Sequence, residues 1–164
     1  MKKAVWSAIA TAAGVLLFTT SAAAQTTATV NVTVNVAARA LLTLDTNAIT
    51  FADADPDSVP TLTAGAINIA VRTRTPAAGA VNLTVQATGD LSAGGGATIP
   101  INQLTWSATG TGYVAGVSAT TAQTVGAWTG SGNRAGTQTY SLPNSWDYAT
   151  GTYTTTLNYT LSVP

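Results

Sequence analysis

From Thr29 to Val36 the chain reads Thr-Val-Asn-Val-Thr-Val-Asn-Val, with valines at 30, 32, 34 and 36 and a polar residue at every position between them. Side chains alternate between the two faces of a strand, so this stretch makes one wholly apolar, β-branched face and one wholly polar face. Burying four valines is worth roughly 6–12 kcal/mol at about 1.5–3 kcal/mol each, comparable with the ~1–2 kcal/mol per residue that ordering the backbone costs. The pattern predicts a strand, with its flanks residues 25–37, that must dock on something. Either it closes its own sandwich or it is lent to a neighbouring subunit.

The residues before it carry an export pattern. Lys2 and Lys3 open the chain, an apolar run extends from Ala8 to Phe18, and Ala22-Ala23-Ala24 supplies small residues. This predicts a signal peptide over 1–24, leaving one domain over 25–164. The run is short of the ~20 apolar residues that a membrane span requires, so no membrane insertion is expected after cleavage. An extracellular, cell-surface or periplasmic destination follows.

Past residue 24 the chain has no Lys, Glu, His or Cys, only four arginines against six aspartates, a net of −2. Nothing there neutralises a phosphate backbone, which argues against nucleic acid. Without cysteine, an exported domain must rest on packing and strand hydrogen bonds.

Alternation continues through the domain. Leu42 and Leu44, then Ile49 and Phe51, flank a turn at Asp45-Thr46-Asn47 and predict two short strands. Ile67, Ile69 and Val71 face one way in a further strand. Val81, Leu83, Val85 and Ala87 do so in another, joined to it through Pro76 and Gly79 as a hairpin. Residues 99–106 predict a strand with a bulge near Pro100, and 137–142 a strand ending at Pro143. Tyr153, Thr155, Leu157, Tyr159, Leu161 and Val163 form one face of a long closing strand. Roughly eight to ten short strands, no significant helix and Gly, Pro, Asn and Asp turns predict an all-β, antiparallel, immunoglobulin-like β-sandwich.

Chemistry is sparse. Nucleophile–base triads, thiol chemistry and common zinc sites need His, Cys or Glu, so no catalytic residue and no cofactor is assigned. Asp53, Asp55 and Asp57 are weak candidates for a cation, but Pro56 interrupts them and no acidic residue closes the loop, so solvated turns are the better reading and the metal assignment is none. Asp90 and Asp147 would be the carboxylates of a third and weakest possibility, a glycosidase. Trp106 belongs in the core. Trp128, Trp146 and Tyr148 are candidates for stacking on a sugar. Asn31, Asn82 and Asn158 lie in acceptor triplets for glycosylation, discounted because they arise within Thr-rich strands.

Two families are similar in their end segments. Gly151-Thr-Tyr-Thr-Thr-Thr-Leu-Asn-Tyr-Thr-Leu-Ser-Val-Pro164 resembles the terminus of bacterial WxL surface domains, with Tyr159-Thr160-Leu161 and Val81-Asn82-Leu83 at the places of the two Trp-x-Leu motifs. Tyr159 and Val81 stand where that family has tryptophan. The Ala28–Val36 extension with the alternating last strand resembles pilin subunits built by donor-strand exchange, including spore-coat-U-like secreted proteins. That resemblance implies that Ala28, Val30, Val32, Val34 and Val36 are donated to the next subunit. The expectation is a non-enzymatic structural subunit of a bacterial surface layer or filament, self-associating or joining related subunits. The alternative is a monomeric surface domain that binds glycan or cell-wall polymer through its exposed aromatics.

Overall fold

The computed structural model describes residues 26–164, so the expected signal peptide lies outside the described residues. They divide into two units, one up to Val34 and one from Asn35 to Pro164. The second contains every strand: β1 (Arg39–Leu44), β2 (Thr61–Thr63), β3 (Ile67–Arg74), β4 (Ala80–Ala87), β5 (Leu91–Ser92), β6 (Thr98–Ile99), β7 (Thr105–Thr109), β8 (Gly116–Val117), β9 (Gln123–Thr129), β10 (Gly132–Pro143) and β11 (Leu157–Ser162). One 3-10 turn at Ile101–Gln103 is the only helical element among the described residues, and no helix there is long and apolar enough to cross a membrane.

All pairings are antiparallel. One sheet runs β1-β3-β10-β7-β8 and the other β11-β4-β9, with β5 and β6 as a small separate ladder. β2 occupies the lane of β3 lower down: Thr63 pairs with Ser141 and Ile67 with Gln138, so the lane bulges at Ala64-Gly65-Ala66. Inward residues of the two sheets meet in the core. Ile67, Ile69 and Val71 of β3, Tyr140 and Leu142 of β10 and Trp106 of β7 face Val81, Leu83, Val85 and Ala87 of β4 and Val125 of β9. The alternation that predicts these strands is the alternation that fills the core.

Several expectations are corrected. β3 and β4 are not a hairpin: they lie in different sheets, and Thr75–Gly79 carries the chain across the sandwich. Residues 49–51 form no strand; Ile49 and Phe51 pack half-buried against the core without a ladder. The closing strand is shorter than the pattern, because Thr154 leaves the β11 path and bridges Ser92. The strand at 99–106 is split by the 3-10 turn, and eleven strands appear among the described residues, three of them two-residue pieces. Thr29–Val36 is in no strand, since a ladder needs a partner and none is present among the described residues.

Candidate strand-acceptor edge

One side of the sandwich is stitched shut by backbone. Ala127 N–H donates to Gly112 O at 3.0 Å and Val114 N–H to Val125 O at 2.9 Å, so the segment leading into β8 crosses onto β9. Packing reinforces the seam: a side chain at Gly112 or Gly126 would collide with the Trp128 indole, and one at Gly116 with Trp106.

The opposite side is open. β1 is paired only to β3 and β11 only to β4 among the described residues, and these two edge strands approach each other across the layers. Their inward residues, Leu42 and Leu44 on β1 and Leu157, Tyr159 and Leu161 on β11, are only half-buried, followed by Val163. One lane further in, Ile69 and Leu83 are 1% and 0% exposed. Coverage therefore fails along one continuous apolar row. β11 carries no charge, proline or bulge of the kind that usually protects a free edge.

Two polar clamps hold these edges. The Tyr159 hydroxyl donates to Gln138 Oε1 at 2.6 Å and lies 2.9 Å from the Tyr140 hydroxyl. Burial raises the Tyr159 phenol above its ordinary value, and burial together with Tyr159 raises that of Tyr140 further. At the end of β1, Asp45 accepts from the Asn68 side-chain amide at 2.6 Å and its backbone N–H at 2.9 Å, which lowers the carboxyl below its usual value. Neither clamp is visible as a motif. The only sequence signal for the first is that Gln138 shares the phase of Tyr140 and Leu142.

The other candidate residues are dispersed. Val30, Val32, Val34 and Val36 are 84%, 82%, 75% and 63% exposed. Trp128 donates to Thr111 O at 2.7 Å, makes a T-shaped contact with Tyr113 and has the Arg134 guanidinium over its ring at 5.7 Å, so the indole is already engaged within the sandwich. It stands near the start of β10, whereas Trp146 follows the end of that strand; the proposed aromatic set is not brought together. Trp146 is 70% exposed and donates to Asp57 Oδ1 at 3.1 Å, and Tyr148 is half-buried. Asp55 Oδ1 accepts the Asp57 N–H, Asp90 Oδ1 that of Ile101, and Asp147 bonds Ser145. No group of three potential metal ligands converges among the described residues. An open depression of about 420 Å³ touches Thr43, Asp45, Asn68 and Thr137, and both oxygens of its one carboxylate are engaged by Asn68.

No family model and no curated protein matches this chain.

Proposed function

We propose that this is a non-enzymatic, exported structural subunit of a bacterial surface layer or filament, assembled by lending residues 28–36 to the open edge of a neighbour. The reading is supported by one complementary mismatch: a valine-faced segment with no ladder partner, and an apolar row between β1 and β11 with no cover. β11 supplies free backbone donors and acceptors along six residues, a length that the eight residues from Thr29 to Val36 match. Strand addition would give the lent segment a ladder while its valines complete the half-covered row.

The test uses the full chain from Gln25 onward. Wild-type protein should form oligomers in size exclusion and electron microscopy. The doubly substituted Val32→Asp/Val34→Asp protein should remain monomeric yet folded by circular dichroism, since these side chains are exposed within one copy. Equal assembly by the variant, or a wild type that stays monomeric at high concentration, overturns the reading.

A second reading, glycan binding, keeps one observation in its favour: an exposed indole beside a carboxylate at Trp146 and Asp57. Polymer retention that vanishes in Trp146→Ala would support it.

A further inference from the structure

Three of the four arginines past residue 24 stand on one face of one sheet. Arg72 and Arg74 alternate with fully buried Val71, so they project outward from β3. In the ladder with β1, Arg39 is directly opposite Arg74 and Leu41 directly opposite Arg72. Opposed residues of an antiparallel pair share a face at about 5 Å and diagonal ones at about 7–8 Å, so the three side chains rise from a compact triangle. All three are exposed. Arg134, the fourth, is turned elsewhere: it donates to Thr129 O and Gly130 O and lies over Trp128.

The acidic side chains of residues 26–164 lie apart from it. Asp45 shares this outer face, but Asn68 engages both its oxygens, and Asn68 is four positions along β3 from Arg72, about 13 Å. That exceeds the ~8 Å screening length at physiological salt. Asp53, Asp55, Asp57 and Asp147 belong to loops gathered around Asn144 beyond the end of β10, whereas Arg72 pairs with Asn133 at its start. Asp90 accepts from the Ile101 N–H ahead of β7, towards that same remote end. Pro164 follows β11 in the other sheet and packs at Gly79. Directly opposed like charges destabilise a strand pair, and an external anion between the guanidiniums relieves that cost.

Guanidinium groups present paired donors that fit a carboxylate at two points. Asn133, opposite Arg72 on the side away from β1, adds an exposed amide, and Leu41, 53% exposed, adds an aliphatic surface for the apolar face of a sugar ring. We infer that this patch binds a linear acidic polysaccharide whose sugars carry carboxylates. Charge decides the class. A nucleic acid that is held firmly makes roughly 6–10 phosphate contacts and stacks its bases on aromatics, but three charges stand here and Trp128 is engaged by Thr111 and Arg134. An anionic lipid surface is read by clusters of about four to eight basic residues, and a body with four arginines against six aspartates past residue 24 is repelled by so extended a negative plane. A narrow chain of spaced carboxylates meets the triangle alone. The inference stands apart from strand lending, since none of these side chains lies in the valine segment or on β11.

The experiment uses the full chain from Gln25 onward and polygalacturonate as the probe, with neutral dextran, inorganic polyphosphate, single-stranded DNA and phosphatidylglycerol vesicles in parallel. Calorimetric titration should show wild type binding polygalacturonate, more weakly as salt rises, and not binding dextran. Arg72→Gln/Arg74→Gln should weaken that binding at least about tenfold at low salt, the loss of two exposed charge pairs, while Trp146→Ala leaves it unchanged. Arg39→Gln, on the edge strand, should weaken it in the same direction. Without polymer, the thermal midpoint of the double variant should be no lower than that of wild type, because like charges have been removed, and this serves as the folding control. Equal binding by the double variant, or equal binding of dextran, overturns the inference. Tighter binding of polyphosphate, DNA or vesicles than of polygalacturonate overturns the polysaccharide and assigns the patch to that other anion.

Discussion

The Tyr159 hydroxyl, on the edge strand β11, donates at 2.6 Å to Oε1 of Gln138, a fully buried residue in the middle of the opposite sheet. Because that single proton is committed to Gln138, the Tyr140 hydroxyl is the donor in its 2.9 Å contact with Tyr159. The chain of three polar groups bolts the least covered strand to the best covered one, and it leaves Gln138 Nε2 without a partner. Tyr159→Phe should therefore cost about 1–3 kcal/mol in urea denaturation, since it strands a buried acceptor. Adding Gln138→Leu to it should return part of that loss, because both members of the bond are then gone. Strictly additive losses would show that the two residues do not interact.

Alkaline titration followed by tyrosine absorbance should reveal a late-ionising pair, Tyr140 and Tyr159. The folded values of Tyr140 and Tyr159 are raised, so the neutral phenols favour the native state. Their contribution is complete below the ordinary tyrosine value of about 10 and is lost as pH rises above it. These two phenols should ionise only as the protein unfolds in base. Asp45 has the opposite sign: its lowered value makes the contribution of the carboxylate present above the ordinary aspartate range and lost as pH falls through the lowered value. Asp45→Asn should flatten the acid limb of a plot of thermal midpoint against pH.

Gly136 packs where a methyl group would strike Thr109 O and the Tyr113 ring, whereas the space around Gly65 is empty. Gly136→Ala should destabilise by about 1–3 kcal/mol through overpacking, and Gly65→Ala should shift stability by less than about 1 kcal/mol. Calorimetry on the pair distinguishes crowding from a general effect of replacing glycine.

Trp146→Ala removes an exposed side chain whose one hydrogen bond is to Asp57. Its stability should change by no more than about 0.5 kcal/mol, so any loss of polysaccharide retention would be a binding effect. Trp128→Ala should behave differently, because that ring fills the space over Gly112 and Gly126 and carries Arg134. A drop of several degrees in thermal midpoint is expected there.

Strand faces were legible in the sequence, and strand partners were not. Ile67-Asn-Ile-Ala-Val71 and Val81-Asn-Leu-Thr-Val85 announce which residues point inward, and those residues are buried. The same alternation is silent on whether Thr75–Gly79 makes a tight hairpin or crosses to the other layer, since both need Pro and Gly. β2 escaped notice because three residues are too few for a period to register. Ile49 and Phe51 have strand spacing yet pack beside the core without pairing. The valine segment could be read directly as an alternating stretch. The half-covered row on the β1–β11 edge could not, because Leu157, Tyr159 and Leu161 alternate in the same way as a fully buried strand would. Aromatic composition likewise failed to say that Tyr113 and Trp128 serve packing, whereas Trp146, expected among the exposed aromatics, is 70% exposed.

The two alanines between Val36 and Arg39 have a metric consequence. A longer, glycine-rich hinge would let adjoining bodies drift or tilt, whereas, under the proposed strand lending, so brief a tether would fix how far apart two copies sit. Lengthening Ala37-Ala38 should then lengthen the repeat of any fibre almost residue for residue.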